Sequence, residues 1–371
     1  MISNEFFERI ESHFQNNLPF VSYRKPNQGK VSARLQKDSN LHFTEDFTEA
    51  GFVFSPFDDL KKTVLIPSVS SQIISTSYVV ENGVETPNSL TLASKEAERF
   101  HINLVNKGVE TISNSDIKKV VLSRQETVSL SENNPFNIFK RLLNTYKSAF
   151  VYCWFHPKVG LWLGATPETL IKIEGRRFSI MALAGTQVYN GSLDVVWQNK
   201  EKQEQQFVTD FIINNLKPAV EELKISDVET VQAGNLVHLK TMIMAQLKIN
   251  TPLKQVIEAL HPTPAVCGLP KQLAKQFILE NENYNREFYT GFLGELNCET
   301  IIAPRSSKRN IENRAYAVKR KSTQLYVNLR CMQLKNKEAI IYVGGGVTES
   351  SNAVSEWEET VSKSVVIKSI L

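Results

Sequence analysis

Two glutamates and a lysine near the carboxyl end of the chain have the types and the spacing to bind a metal and an anion together. Glu356, Glu359 and Lys363 follow one another at i, i+3 and i+7. Because an α-helix repeats every 3.6 residues, this spacing puts the three side chains on one helical face. Two carboxylates can hold a divalent cation, and the ammonium group can hold an anionic ligand. The alternative is an ordinary solvated face of a surface helix.

Three glycines precede this predicted helix. The apolar residues 340–343 have the length and the β-branched content of a buried strand, and Gly344, Gly345 and Gly346 follow them directly. Glycines allow a sharp turn and let a ligand approach the backbone N–H groups. We therefore predict a strand, an anion-binding glycine loop and a helix. A simple tight turn is the alternative.

The composition excludes several classes of protein. The chain has 371 residues, 42% of them hydrophobic, and a formal net charge of +4, so it can form a sizeable core and has only a weak general attraction for anions. Its four cysteines are far apart and lack CxxC spacing, which argues against a zinc site or a disulfide framework. No segment approaches the roughly 20 apolar residues of a membrane span. We expect a cytoplasmic protein with no membrane partner.

The pattern of elements predicts a mixed fold. Residues 5–14 have the pattern of an amphipathic helix, and strand signals follow. Further along, hairpins and helices alternate without a regular βαβ order, which is typical of antiparallel sheets covered by helices. We expect residues 1–90 to be a β-rich part of the same fold unit as residues 91–371.

Two predicted elements carry candidate site residues. A long helix is predicted at residues 200–223, polar at its start and apolar further on. A strand is predicted at residues 325–334. Tyr326 and Arg330 are four positions apart, so both would face the same side of that strand.

Residues 297–323 form a basic, polar insert. A nucleic-acid or partner patch is one interpretation. Aromatic residues suited to base stacking are nearly absent there, so we favour a solvated loop or hairpin. We therefore predict no nucleic-acid partner.

Eight motifs follow one another along the second part of the chain. They are KVVLSR (119–124), GATPE (164–168), LAGT (183–186), KEKQEQ (200–205), HLKT (238–241), LHPTPAVCGLP (260–270), LYVNLR (325–330) and YVGGGV…EWEETVSK (342–363). In this order they resemble the motifs of the chorismate-utilising enzymes, a family that comprises isochorismate and salicylate synthases and the large subunits of anthranilate and aminodeoxychorismate synthases.

The resemblance covers about residues 94–371. It implies an α/β (α+β) fold of antiparallel sheets stacked face to face, with helices outside and the active site in the cleft between. It also implies that residues 91–371 are the chorismate-binding catalytic domain.

The resemblance implies a magnesium site. Glu204 and Glu359 would bind Mg²⁺, and Glu201 and Glu356 would support them, partly through water. Oxygen ligands that retain some water suit Mg²⁺ better than zinc. For Glu204 taken alone, the alternative is a carboxylate that complements the dipole at a helix N-terminus.

The resemblance and the residue types also imply a binding site for chorismate. Arg330 would hold one carboxylate of this substrate through two parallel hydrogen bonds. His238 would line the ring pocket, although a structural role is the alternative for this residue. The implied substrate-binding residues are Gly185, Thr186, His238, Thr241, Tyr326, Arg330, Gly344, Gly345, Gly346 and Lys363.

Two residues would carry the chemistry. In family members that add water, the lysine in the place of Lys119 is the general base, whereas the ammonia-using anthranilate type has glutamine there. Glu168 would be the general acid. Ala184 stands where one aminodeoxychorismate synthase type has a nucleophilic lysine. Gln205 and Cys267 depart from the family pattern beside the metal glutamate and in the HPTP loop.

These choices favour the formation of isochorismate from chorismate, with salicylate synthase as the alternative. A relative without activity is a further possibility. The product would supply menaquinone or catechol siderophore synthesis, and the residues do not decide between them. We expect a monomer or a weak homodimer.

Overall fold

The computed structural model of the protein describes residues 1–79, 94–130, 134–233, 236–302 and 318–371. Residues 303–317 of the basic insert lie outside these stretches. None of the helices in these stretches combines the length and the apolar character needed to cross a lipid bilayer.

Helices in the described stretches are short to medium in length. Several begin with a side-chain cap, as where Asn352 Oδ1 accepts hydrogen bonds from the backbone N–H groups of Val354 and Ser355. The helices are α1 (Ser3–Gln15), α2 (Lys95–Ser113), α3 (Pro135–Thr145), α4 (Asn199–Leu216), α5 (Leu253–Leu260), α6 (Lys271–Asn281) and α7 (Ala353–Lys368), with one 3₁₀ turn at Lys217–Ala219.

The first sheet has nine antiparallel strands. In spatial order they are β15 (Gly268–Leu269), β7 (Lys119–Ser129), β19 (Glu338–Val347), β18 (Cys331–Lys335), β9 (Gly160–Thr166), β8 (Phe150–His156), β1 (Phe20–Arg24), β2 (Lys30–Gln36) and β6 (Ser71–Ser77).

The second sheet has ten antiparallel strands. In spatial order they are β12 (Val220–Ile225), β14 (Leu236–Leu247), β11 (Arg177–Val188), β10 (Thr169–Glu174), β17 (Val318–Val327), β16 (Phe292–Ile302), β4 (Gly51–Ser55), β5 (Thr63–Pro67) and β3 (His42–Thr44), and β13 (Glu229–Ala233) also pairs with β14.

The two sheets pack face to face around an aromatic core. Trp154 and Trp162 of the first sheet and Phe54 of the second are all fully buried in it. Successive side chains of a strand point to opposite faces, so the outer face of each sheet is apolar as well. Helices α1, α3 and α7 cover the first sheet, and α4 and α5 cover the second. The predicted fold class is therefore confirmed.

The amino-terminal strands are divided between the sheets. β1 pairs with β8 in the first sheet, and β4 pairs with β16 in the second. Residues before position 80 therefore contribute strands to both sheets, where they are hydrogen-bonded to strands from later in the chain.

Two predicted elements were wrong in extent. The long helix ends at Leu216, and β12 begins at Val220. Pro218 explains the end, because its ring removes an N–H donor and clashes with the preceding helical turn. The single strand predicted at 325–334 is two strands, β17 and β18. Arg330 lies between them with φ of +48°, outside any strand.

Candidate functional site

A cavity lies between the sheets at the end that β7 and β19 share with β11 and β14. Its walls come from both sheets, from helices α4 and α7 and from four loops. The residues that line it are Lys119, Val121, Pro167, Glu168, Leu183, Ala184, Gly185, Thr186, Glu204, His238, Ala265, Val266, Tyr289, Thr290, Leu329, Arg330, Tyr342, Val343, Gly344, Gly345, Gly346, Glu359 and Lys363.

The three glycines do not form the predicted loop. β19 runs through them to Val347, and Gly345 pairs with Leu122 of β7. Their role is to allow close approach. A Cβ atom added at Gly346 would lie 2.9 Å from Lys119 Cε and 3.1 Å from Glu204 Oε2. Any side chain there would displace the two charged groups that meet over the strand.

Gly345 lies directly beneath a second pair of charged groups. A Cβ atom at this position would lie 3.4 Å from Glu356 Oε2 and 3.8 Å from Glu359 Oε1. Both glutamates lie on α7, which packs against β19. The predicted common face of Glu356, Glu359 and Lys363 therefore rests on the glycine strand.

Lys119 and Glu168 are both buried at this cavity. They are 1% and 2% exposed. Lys119 is the first residue of β7, whereas Glu168 follows Pro167 in the turn between β9 and β10. Burial raises the pKa of Glu168 to about 8, although the nearby charge of Lys119 opposes this shift. Glu168 is therefore protonated at neutral pH and can donate a proton.

Lysines pair with the glutamates around the cavity. Lys119 Nζ lies 3.6 Å from Glu204 Oε2, and Lys363 Nζ lies 2.6 Å from Glu359 Oε1. Lys200 bridges Glu356 and Glu204. Sequence reasoning assigned no role to Lys200, although its i, i+4 spacing to Glu204 was a usable signal.

These contacts shift the pKa values of the glutamates in opposite directions. Burial raises the pKa of Glu356 despite its pairing with Lys200. For Glu359, burial also acts upward, but the charges of Lys363, Lys200 and Lys119 outweigh it, so its pKa lies below the ordinary value. Glu359 is consequently ionised at neutral pH.

The carboxylates around the cavity are the kind of ligand that a hard cation prefers, although they do not converge on one point. Among the described residues, no three His, Cys, Asp or Glu side chains converge as a metal-binding group. However, Glu201 Oε2 and Glu356 Oε2 are buried without a hydrogen-bond partner in the described part of the chain. A buried carboxylate oxygen without a partner is costly, and Mg²⁺ prefers such oxygen donors. The donor set therefore fits the cation.

A hydrogen bond joins Arg330 to His238 and fixes the orientation of both side chains. Because a guanidinium group only donates, Arg330 Nη2 donates to His238 Nε2 over 3.0 Å. His238 Nδ1 then carries the hydrogen, and it donates to the Gly185 carbonyl over 3.0 Å. Burial and the charge of Arg330 lower the pKa of His238 to about 3. The imidazole is thus neutral and orients Arg330.

Gly185 and Thr186 reach the cavity through a break in the sheet register. The pairing of β11 with β14 shifts between Ala184 and Gln187. Gly185 has φ of +72°, and a Cβ atom there would lie 3.0 Å from Glu201 Cβ. The bulge turns this segment toward the cavity and lets α4 pack closely against it.

Two predicted substrate-binding residues, Tyr326 and Thr241, are not among the residues that line the cavity. Tyr326 is 1% exposed and stacks on Phe150 in the core between the sheets. It points there because β17 ends at Val327, so Tyr326 and Arg330 do not share a strand face. Thr241 is buried against α4, where its Oγ1 accepts a hydrogen bond from Gln205 Nε2 over 3.1 Å.

Several wall residues were missed from the sequence. Tyr289 and Tyr342 stack with ring centroids 5.5 Å apart, and both line the cavity. Thr290 and Val266 come from loops on either side of α6. Tyr342 and Val266 stood within quoted motifs, but Tyr289 and Thr290 lie in a stretch that carries no periodic signal toward a site.

The fold and the site together define an α+β protein whose central cavity joins a buried lysine and a buried glutamate to a cationic and carboxylate-rich wall. Two family models described as chorismate binding enzyme match residues 52–317 and residues 315–369. The chain therefore belongs to the chorismate-binding enzyme family.

Individual relatives agree with this assignment. An isochorismate synthase of Pasteurella multocida is 27% identical over 305 residues, which cover 76% of this chain and 64% of the relative. The chain thus matches less than two thirds of that relative's length. The solved structure of the menaquinone-specific isochorismate synthase of Escherichia coli has a TM-score of 0.73 at 17% identity, covering 95% of this chain and 88% of that one. Component I of the anthranilate synthase of Streptococcus pneumoniae has a TM-score of 0.66 at 17% identity, covering 94% and 92%.

Proposed function

We propose that this chain is an isochorismate synthase, which isomerises chorismate by adding water at C2 and releasing the hydroxyl group at C4. The observation that carries the proposal is the buried pair of Lys119 and Glu168 at one cavity, where the pKa of Glu168 is raised to about 8. A reaction that adds water at one carbon and expels a hydroxyl group at another needs a base and an acid. The named isochorismate synthases among the relatives favour the same chemistry.

Each residue of the pair has one proton to move. Lys119 in its neutral form takes a proton from water, whose oxygen then forms the bond to C2. The ring double bonds shift, and the C4–O bond breaks. Glu168 donates its proton to the departing oxygen, which leaves as water. After one turnover Lys119 has gained a proton and Glu168 has lost one. Lys119 must therefore release a proton to solvent, and Glu168 must take one up, before the next turnover.

Cationic side chains would bind the carboxylates of the substrate. Arg330 is oriented by His238 and can present paired N–H donors to one carboxylate. Lys363 is held at the cavity by Glu359 and by the Gly344 carbonyl, which lies 2.9 Å from its Nζ. Tyr289 and Tyr342 would form the apolar wall beside the ring.

Glu204 and Glu359 would hold Mg²⁺, with Glu201 and Glu356 in support. The unpartnered buried oxygens of Glu201 and Glu356 support this assignment. When bound, the cation would neutralise the ring carboxylate and draw electron density out of the ring.

Product analysis tests the proposed reaction. Purified protein is incubated with chorismate and Mg²⁺, and the products are separated by chromatography. Isochorismate alone is the expected product. Salicylate formed without a partner lyase would show that pyruvate is eliminated as well, and anthranilate formed with ammonium would show that ammonia replaces water. Either result would overturn the proposal.

The raised pKa of Glu168 predicts how activity depends on pH. A general acid works only when protonated, so kcat should fall as pH rises through about 8, where Glu168 loses its proton. Glu168→Gln should remove this limb of the profile and slow turnover by about 10²–10⁴-fold. Glu174→Gln, at a half-exposed glutamate on β10, is the matched control and should keep the wild-type profile. A Glu168→Gln variant with the same alkaline limb would exclude Glu168 as the acid.

Arg330→Lys should weaken substrate binding. Lysine keeps the charge but loses the paired donors and the contact with His238. A charged hydrogen bond contributes about 1.5–3 kcal/mol, so KM should rise about tenfold to a hundredfold while kcat changes little. Arg34→Lys provides the control, because Arg34 is a buried arginine on β2 that donates to Ser68 Oγ and does not line the cavity. Unchanged KM and kcat/KM would show that Arg330 does not bind the substrate.

A further inference from the structure

Arg286 is a buried arginine behind the cavity whose five N–H donors are all used. Its Nε donates to Glu282 Oε2 over 2.7 Å, and Nη2 donates to Glu282 Oε1 over 2.5 Å and to the Val121 carbonyl over 2.7 Å. Nη1 donates to the Val266 carbonyl over 3.1 Å and to Thr290 Oγ1 over 3.2 Å. A guanidinium group has five donors, so none is left over.

Glu282 connects the same unit to β7. Its Oε1 accepts from the Ser123 backbone N–H over 2.8 Å and from Ser123 Oγ over 2.7 Å. Both charged side chains of this pair are only 2% exposed. Arg286 also packs on the ring of Phe57, 4.6 Å from its centroid. The pair therefore holds β7 at two positions, Val121 and Ser123.

The groups held by Arg286 belong to three walls of the cavity. Val121, Val266 and Thr290 all line it, and they come from β7 and from the loops before and after α6. Val121 lies two residues after Lys119. The Val121 N–H also donates to the Cys267 carbonyl over 2.8 Å, so both backbone groups of Val121 are fixed from this side.

Thr290 is the strained member of this set. It has φ of +60°, a left-handed conformation that a β-branched residue rarely adopts. Such strain costs about 1–3 kcal/mol and persists only where neighbouring groups hold it. Besides Arg286, the Asn328 carbonyl accepts from the Thr290 N–H over 2.9 Å. The hydrogen bond from Arg286 helps to keep this wall residue in place.

We propose that the buried Glu282–Arg286 pair is a positioning unit that sets Lys119 and the opposite loop walls at their working separation. The inference rests on the proposed function, because it concerns the geometry of that reaction. Stability alone is a weak reason for such a pair, since well-packed apolar residues often replace a buried ion pair at no net cost. The guanidinium group of Arg286 is planar and binds all three wall segments at once. It therefore fixes the distances between these segments.

Arg286→Lys tests the proposal. Lysine can still pair with Glu282, but its three donors cannot also reach all three walls. A misplacement of about 1 Å at a reacting group can cost 10²-fold, so we expect kcat to fall about 10–100-fold. KM and the equilibrium binding of chorismate should change much less, because Arg330 and Lys363 remain in place.

Arg24→Lys is the matched control. Arg24 is 3% exposed and donates to the carbonyl groups of Leu143 and Tyr146, and none of these three residues lines the cavity. This variant should lower the melting temperature by an amount similar to that of Arg286→Lys, yet it should keep the wild-type kcat. Equal losses of kcat in the two variants would mean that Arg286 acts only through stability, and this would overturn the proposal.

Ser123→Ala decides the question if Arg286→Lys does not fold. It removes one hydroxyl group from Glu282 and leaves the strand and the ion pair in place. A several-fold fall in kcat with little change in KM supports the proposal, whereas an unchanged kcat contradicts it. Wild-type protein that forms no isochorismate would instead refute the proposed function. The two failures are therefore distinguished by the wild-type assay.

Discussion

Lys119→Ala is expected to lower kcat by about 10²–10⁴-fold, the usual contribution of a general base. The reason is that no other amine described at the cavity is placed as Lys119 is, fully buried at the start of β7 and within the electrostatic reach of Glu168. Lys363 and Lys200 are already held by Glu359 and Glu356. Binding of chorismate should persist, because the residues assigned to its carboxylates are unchanged. Steady-state rates with chorismate, together with calorimetric binding, measure the two effects separately.

The neighbouring lysine offers the control for this experiment. Lys118 is exposed, so Lys118→Ala should leave kcat and KM at their wild-type values. The reverse reaction gives an internal check. The equilibrium constant belongs to the reaction and not to the enzyme, so kcat/KM must fall by the same factor from chorismate and from isochorismate. A Lys119→Ala variant with near-normal rates would exclude this lysine as the base.

Glu204→Ala and Glu359→Ala are each expected to reduce turnover by about 10³-fold or more, since a bound cation supplies several kcal/mol of charge stabilisation. Both carboxylates line the cavity. EDTA should inactivate the wild type, and added Mg²⁺ should restore it. Calorimetric titration with Mg²⁺ in the absence of substrate should show binding to the wild type that both variants lose. This readout does not depend on catalysis.

Glu358→Ala is the matched control for the metal experiment. Glu358 is exposed and adjoins Glu359 on α7, so its removal changes the charge of the helix without touching the cavity. This variant should bind Mg²⁺ and turn over as the wild type does. Full activity in metal-free buffer, or Mg²⁺ binding that survives both cavity substitutions, would refute the magnesium assignment.

A helix or strand was predictable from the sequence wherever the spacing of its apolar residues reflected which of its faces is buried. Residues 5–14 showed the apolar spacing of a helix, and α1 occupies Ser3–Gln15. Residues 340–343 had the length and the β-branched content of a buried strand, and they lie within β19. Periodicity failed at boundaries. The chain leaves the sheet at Arg330 within a stretch whose residue types suit a strand, and only the turn between β17 and β18 explains that position.

For the candidate site, the sequence indicated which residues belong to the site, but it did not indicate how they are arranged there. Of the residues assigned to catalysis, substrate or metal, most line one cavity, whereas Tyr326, Thr241, Glu201 and Glu356 are not among its lining residues. The glycines were singled out for the wrong reason, because they form a strand that charged groups approach and not a loop. Arg286 was missed, since nothing in its local sequence marks an arginine whose acceptors lie on three separate segments.

By itself, the sequence determined the residue types that can do chemistry, the helical face shared by Glu356, Glu359 and Lys363, and the antiparallel character of the sheets. The helical face follows from spacings of three to seven residues, which the backbone repeat of a helix converts directly into a face. The antiparallel character follows from the order of hairpins and helices, which lacks a regular βαβ alternation. Only the tertiary structure decided which charges meet. Lys200 and Glu356 are 156 positions apart, and Arg330 and His238 are 92 apart. Their contacts depend on how the two sheets and α7 pack, and that packing also buries Glu168 and raises its pKa.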